Sequence, residues 1–255
     1  MKRGWDTYQE MLDQVVAWKP HLNLAKTEAP AEGRTWYAYD ILANFWAIQS
    51  LFEQLPESRL DLMRRGHIAD IGGADGDLGF FLASQGLRVD LIDWPSTNWN
   101  GLEGARALKS RLRADSVSIH EVDLDRQFQL PESRYDLVFL LGILYHLKNP
   151  YFMLETLADH AGFCILSTRI ARFSAKESVE IESLPVAYLL DSDECNGDPT
   201  NFWIFSETGL LRLVNRCGWE VEAKIRVGDT AQSNPRDSEH DERIYLALKN
   251  NRFDQ

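Results

Sequence analysis

Between Ile68 and Thr168, short apolar runs alternate with stretches of helical periodicity, and no other feature of the chain narrows its fold so far. His67-Ile68-Ala69-Asp70-Ile71 is an apolar run closed by glycines. Leu78, Phe81 and Leu82 then share one helical face, and Arg88 to Asp93 reads as a second strand. Leu102, Ala105, Leu108 and Leu112 sit at helical spacing, and Val117 to Val122 alternates as a strand. Tyr135 to Leu141 is almost wholly apolar, as expected of a strand buried on both faces. Pro150 opens a helix with the stripe Tyr151, Leu154, Leu157, Ala158 and Ala161, and Gly162 to Thr168 is strand-like again. Strand–helix–strand repetition of this kind implies right-handed crossovers and a parallel sheet with helices on both faces.

After Thr168 the alternation stops. Residues 169–205 mix aromatics, prolines and acidic residues, and they are too many for a plain connection, so an inserted cap is expected there. Ser206-Glu207-Thr208 starts a helix with the stripe Leu210, Leu213, Val214 and Cys217, which Gly218 stops. Trp219, Val221, Ala223, Ile225 and Val227 alternate with charged residues, the mark of a strand wet on one side and suited to antiparallel pairing. A polar loop from Gly228 to Asp241 leads to a last strand over Ile244 to Leu248. The expected fold is α/β: a Rossmann-like, seven-stranded, mostly parallel sheet with the last strand antiparallel. Residues 1–66, with an amphipathic Trp5–Trp18 and an aromatic-rich Trp36–Leu55, read as a helical N-terminal extension to a domain spanning 67–255, with the insert at 169–205.

Composition narrows the class further. Of 255 residues, 44% are hydrophobic and 26% charged, which excludes wholesale disorder and fibrous repeats. Cys164, Cys195 and Cys217 show no paired spacing, so neither a disulfide framework nor a C-x-x-C metal site is expected. The start, MKRGWDTYQE, lacks a leader's apolar run, and no stretch nears the ~20 apolar residues of a membrane span, so a cytoplasmic protein without a membrane partner is expected. With 27 basic against 39 acidic residues the net charge is −12, which opposes a polyanionic partner at long range unless a local basic patch overrides it.

The strongest motif, Asp70-Ile71-Gly72-Gly73-Ala74-Asp75-Gly76-Asp77-Leu78-Gly79, lies where the first strand turns into the first helix of the alternation. Glycine allows close approach of backbone to ligand at that turn. The glycines at 72, 73, 76 and 79 do not give the G-x-G-x-x-G of a dinucleotide site, and three nearby carboxylates oppose a diphosphate. A cationic ligand suits them better. S-adenosylmethionine carries an ammonium, a sulfonium and two ribose hydroxyls: Asp70 is placed to meet the ammonium end, and Asp93 to accept both hydroxyls. Asp123 is placed to accept from the adenine amino group, with Leu124 lending its backbone N–H. Helix capping is the plainer role for Asp70 and Asp93, and Glu121 and Asp125 compete with Asp123. Asp75 and Asp77 read as first-turn carboxylates favoured by the helix dipole. Trp94, next to Asp93, ranks first for stacking on adenine among Trp36, Tyr37, Tyr39, Trp94, Trp99, Phe202, Trp203 and Phe205, about half of which are expected in the core.

On the motifs Asp70–Gly76, Leu91-Ile92-Asp93 and Tyr135-Asp136-Leu137-Val138, and on the order of elements from Ile68 to Leu248, the chain resembles the class I S-adenosylmethionine-dependent methyltransferases. The family's loop reads G-x-G-x-G, and Ala74 stands at its middle glycine. Locally, Leu141-Gly142-Ile143-Leu144-Tyr145-His146-Leu147-Lys148-Asn149-Pro150 is similar to the segment after strand four in the tRNA wobble-uridine carboxymethyltransferase-like branch. The resemblance implies that Gly72, Gly73, Ala74, Gly76, Leu141 and Gly142 contact the cofactor and that Tyr145 and His146 face the transferred methyl group. His146 then acts as general base or only bonds a loop carbonyl or the cofactor, and Tyr145 packs or contacts the cofactor. Three functions stay open: methyl transfer to a small molecule, a tRNA wobble-base enzyme, and a non-catalytic nucleotide-binding module. Asp191 to Asp198 lacks the regular oxygen spacing of a calcium loop and reads as a solvated turn, so no metal is expected. Arg106, Lys109, Arg111 and Arg113 read as a solvated helix end.

Overall fold

The computed structural model describes residues 5–29, 35–176, 178–236, 239–250 and 252. The first four residues of the expected extension, its segment 30–34, and positions 177, 237, 238, 251 and 253–255 of the expected domain lie outside the described residues. The chain folds as two compact units that divide between Phe139 and Leu140.

The first unit opens with α1 (Tyr8–Glu28), capped by Thr7, whose side chain accepts from the Glu10 N–H. Its buried residues Met11, Val15, Trp18, Leu22 and Ala25 follow a four-three spacing. That stripe carries the helix through Pro20 and ten residues past the Trp18 limit suggested by sequence. Packing of one apolar face thus overrides the lost backbone hydrogen bond of an internal proline. Helices α2 (Phe45–Phe52) and α3 (Leu62–Arg65) follow. The aromatic-rich stretch expected from Trp36 becomes helical only at Ile41, as a 3-10 turn, because Asp40 caps it there. The alternating part then runs β1 (His67–Ile71), α4 (Asp77–Ser84), β2 (Arg88–Asp93), α5 (Glu103–Leu112), β3 (Val117–Glu121) and β4 (Leu137–Leu141). Strand order is β3-β2-β1-β4, with β1–β2 and β2–β3 parallel. α4 is buried over most of its length. Trp5 stacks on its Phe81 at 5.9 Å and Phe45 meets the same ring edge-on at 5.2 Å, so the preceding helices share this unit's core.

The second unit begins at the end of β4. Asn149 caps α6 (Pro150–His160) by accepting from the Phe152 N–H at 3.0 Å, with Pro150 in the first turn. Strand β5 (Phe163–Ile170) is buried throughout. β9 (Glu242–Asn250) pairs antiparallel with β5 along its length and with β8 (Trp219–Gly228) on its other side. The insert contributes two short strands that sequence did not announce, β6 (Ala187–Leu189) and β7 (Trp203–Phe205), paired antiparallel, with β7 meeting the last residue of β5. Three-residue strands carry too little alternation to be read. The insert has a small core of its own, formed by Ala171, Ile181, Leu190, Cys195 and Ile204. α7 (Glu207–Arg216) starts at Ser206, which accepts from the Gly209 N–H. Among the described residues no helix is long and apolar enough to cross a membrane.

Candidate functional site

The glycine loop is shaped by three residues in the left-handed region: Gly72 (φ 68°), Ala74 (φ 55°) and Gly76 (φ 84°). These are the three glycine positions of the resembled G-x-G-x-G loop, so Ala74 holds a conformation that disfavours a Cβ. The Gly72 N–H donates to the Ile92 carbonyl at 2.8 Å, and that of Gly76 to the Gly73 carbonyl at 2.7 Å. A Cβ on Gly73 would lie 2.7 Å from Asp70 Oδ2, and one on Gly76 2.8 Å from Leu91 Cδ1. Both glycines therefore answer to packing beneath the loop.

Gly76 caps α4 without a side chain to offer. The carboxylate of Asp70 fills that role from the strand: Oδ2 accepts from the Gly79 N–H at 3.1 Å, the donor a capping side chain normally serves. Asp70 is buried, and burial raises its pKa to about 7; the Gly79 N–H opposes this, and the negative charges of Asp93 and Asp77 add to it. Asp93, at the end of β2, accepts from its neighbour's Trp94 N–H at 2.7 Å and from Asn98 Nδ2 at 2.9 Å. Burial raises its pKa too, against hydrogen bonds from Asn98, Trp94 and Ala74. Among the described residues, the side-chain contacts of these two carboxylates are with neutral donors: Gly79 N–H for Asp70, and Trp94 N–H and Asn98 Nδ2 for Asp93.

Asp75 and Asp77 differ. Lys26 of α1 lies 2.8 Å from Asp77 and 3.4 Å from Asp75. Asp75, fully buried, also accepts from the Tyr37 N–H at 2.9 Å and from Asn100 Nδ2 at 2.8 Å. Its Oδ1 lies 2.2 Å from where a Cβ on Gly104 would stand. The Tyr37 hydroxyl accepts from the Trp99 N–H at 2.8 Å, and burial raises its pKa. Asn98 donates to the Ala74 carbonyl and accepts from the Leu102 N–H, tying the loop after β2 to the glycine loop. Sequence reasoning missed Lys26, Asn98 and Asn100 and gave Tyr37 only a place among the stacking aromatics; Asn98 and Asn100, close after Asp93, were the one local signal.

Asp123 follows β3, where its Oδ1 accepts from the Asp125 N–H at 3.1 Å and its Oδ2 pairs with exposed Arg126 at 3.0 Å; Leu124 is buried. Of the eight aromatics, only Phe205 is buried, while Trp99 and Tyr39 are 72% and 66% exposed. The other five are half-buried, so one of the eight rather than half of them lies in the core.

Elsewhere on this unit, Asp90 is buried and accepts from the Tyr135 hydroxyl at 3.0 Å, with His67 Nε2 and His120 Nε2 at 3.1 and 3.3 Å. Among the described residues, His67, Asp90 and Glu132 are close enough to share an ion. The Arg88 guanidinium lies against His67 Nδ1 and 3.7 Å from Glu132, a charge that opposes a cation there.

In the second unit, Leu141 ends β4, and Gly142 turns the chain at φ 70° while its N–H donates to the Ser167 carbonyl at 2.9 Å. Leu144–His146 forms one 3-10 turn. The Tyr145 carbonyl accepts from the Phe202 N–H at 2.9 Å, and its ring lies 4.2 Å from that of His146. His146 Nδ1 stands 3.1 Å from the Thr200 carbonyl and 3.0 Å from its Oγ1. Burial lowers the pKa of His146 and favours the neutral ring at pH 7.

The donor set beside the glycine loop suits S-adenosylmethionine. Among the described residues, Asp70 and Asp93 offer acceptors without a compensating cation, the complement of a ligand that brings a positive charge and a diol, and the opposite of a diphosphate site.

No protein-family model matches the sequence, and no curated protein matches it. Solved structures do match in fold. The N-terminal domain of EvdMO1 with SAH bound aligns with a TM-score of 0.58 at 15% identity, over 91% of this chain and 96% of that one. An S-adenosylmethionine dependent methyltransferase from Mesorhizobium loti aligns at 0.53 and 13% identity, over 81% and 97%. The Burkholderia thailandensis 1,6-didemethyltoxoflavin-N1-methyltransferase, with bound 1,6-didemethyltoxoflavin and S-adenosylhomocysteine, aligns at 0.50 and 16% identity, over 80% of each. The chain thus has the Rossmann-like α/β fold that these methyltransferase structures share.

Proposed function

We propose that this protein transfers a methyl group from S-adenosylmethionine to a small-molecule acceptor. The observation that carries the reading is the pair Asp70 and Asp93 beside three left-handed loop residues, with no basic side chain bonded to either among the described residues. When bound, S-adenosylmethionine supplies a methyl group on a positively charged sulfur. Asp93 accepts the ribose hydroxyls, Trp94, Asp123 and Leu124 take the adenine, and Gly72, Gly73, Ala74 and Gly76 let the backbone come close. Asp70 acts mainly through the loop, by holding the start of α4. The family resemblance also assigns cofactor contacts to Leu141 and Gly142, and the acceptor side to Tyr145. His146, neutral at pH 7, takes the proton of an acceptor O–H or N–H as general base. Residues 1–66 serve as a helical extension to a methyltransferase domain over 67–255 with its insert at 169–205, in a cytoplasmic setting.

The net charge of −12 and the small-molecule acceptor of the Burkholderia thailandensis enzyme support a small-molecule substrate. The tRNA reading rests on the Leu141–Pro150 segment alone. Calorimetry tests the cofactor: Asp93→Ala is expected to weaken S-adenosylmethionine binding by ~1–3 kcal/mol, the scale of hydrogen bonds to a charged group. An unchanged dissociation constant removes Asp93 from the site. Titration with bulk tRNA at low and high salt tests the acceptor; tight binding that falls steeply with salt replaces the small molecule with tRNA.

A further inference from the structure

We propose that Thr200 and Asp198 are positioning residues that hold His146 in the tautomer with a bare, basic Nε2. The proposal rests on the reading of His146 as general base and adds the device that sets its protonation. A carbonyl oxygen only accepts, so the 3.1 Å contact between His146 Nδ1 and the Thr200 carbonyl places the ring proton on Nδ1. The Thr200 hydroxyl agrees in direction. Its own proton goes to Asp198 Oδ1 at 2.6 Å, which leaves Oγ1 to accept from Nδ1 at 3.0 Å. Asp198 Oδ1 also accepts from the Thr200 N–H at 2.9 Å, fixing the hydroxyl's place. The order is therefore His146 to Thr200 to Asp198, each donating to the next, and it leaves the Nε2 lone pair for an incoming proton.

The same chain stabilises the product of that proton transfer. The imidazolium keeps its Nδ1 bond and gains the negative charge of Asp198 through Thr200; the Asp198 charge raises the pKa, against burial and the positive charge of Arg243. The titratable Tyr145 ring also packs on His146, at 4.2 Å. This gives a role to the end of the acidic run 191–198, which sequence alone reads as a solvated turn. Thr200 follows it by two residues, and nothing in the local pattern ties it to a histidine 54 positions earlier.

The test is nitrogen NMR of the full chain with labelled histidine, the His146 signals being those lost in His146→Gln. The expected wild-type spectrum near neutral pH has Nδ1 protonated and Nε2 bare. Asp198→Asn is expected to lower the His146 pKa by about one unit, the lower end of what an adjacent opposite charge does. Thr200→Val is expected to lower it likewise, and Thr200→Ser to restore the wild-type value, which a merely structural role for Thr200 does not require. A proton on Nε2, or a pKa indifferent to both Asp198→Asn and Thr200→Val, overturns the proposal. These readouts need neither cofactor nor acceptor. Failure to bind S-adenosylmethionine therefore refutes the methyltransferase reading separately from the NMR result.

Discussion

The two units handle buried carboxylates in opposite ways. In the second unit, Glu242 is fully buried and fully served: Arg172 grips both its oxygens at 3.0 Å and Ser233 donates at 2.7 Å. Arg172 also reaches Glu182 of the insert at 2.6 Å, and Glu207 takes both Lys224 and Arg226. Each acid there has a base, and the network fastens the insert to β8 and β9. Beside the glycine loop, Asp75 and Asp77 share Lys26, but among the described residues Asp70 and Asp93 have only neutral donors. Matched charge marks architecture, because breaking it leaves a buried ion alone. Unmatched charge at a strand end marks a place prepared for a charge that arrives with a ligand.

The contrast is broken most severely by Arg172→Ala. It strands the charge of Glu242, and chemical denaturation is expected to show a loss of ~3–5 kcal/mol. A loss under ~1 kcal/mol, the size of a surface pair, removes the architectural reading of this network. Next comes the pH dependence of Asp70. Its folded pKa, about 7, lies above its unfolded value, so between roughly pH 4 and 7 the native state holds a proton that the unfolded chain has lost. This group's contribution therefore makes stability fall as pH rises through that window. Asp70→Asn keeps an acceptor for the Gly79 N–H and removes the ionisation. Its stability relative to wild type is expected to rise from pH 5 to pH 8 by a few kcal/mol, order of magnitude only. A difference that stays flat with pH contradicts an uncompensated Asp70.

The smallest effect belongs to Ala74. Glycine there relieves the left-handed conformation at some cost in unfolded-state entropy, for a net gain of up to ~1 kcal/mol in unfolding free energy. A loss on Ala74→Gly contradicts the φ of 55° as a source of strain.

Much of this was legible in the sequence where one element carries its own signal. The alternation from Ile68 to Thr168, the Pro150 helix start and the Gly218 stop depend on local pattern, and the structure has each of them. The glycine loop announced its turn, whereas the strain at Ala74 shows only in its φ of 55°. The partners of Asp75 were not legible, since Lys26, Tyr37 and Asn100 come from three separate stretches and nothing local aims them at one carboxylate. Asp70 shows the same limit differently. Its place at the strand end was readable, but its bond to the Gly79 N–H arises because Gly76 brings no capping side chain.

On the proposed function, the carboxylates beside the glycine loop select a cationic nucleoside over a diphosphate. Calorimetric titration of the full chain with S-adenosylmethionine and S-adenosylhomocysteine, set against NADH and FAD, tests it most directly. The account predicts binding of the first two and none of the others; binding of NADH or FAD with no response to S-adenosylmethionine contradicts it.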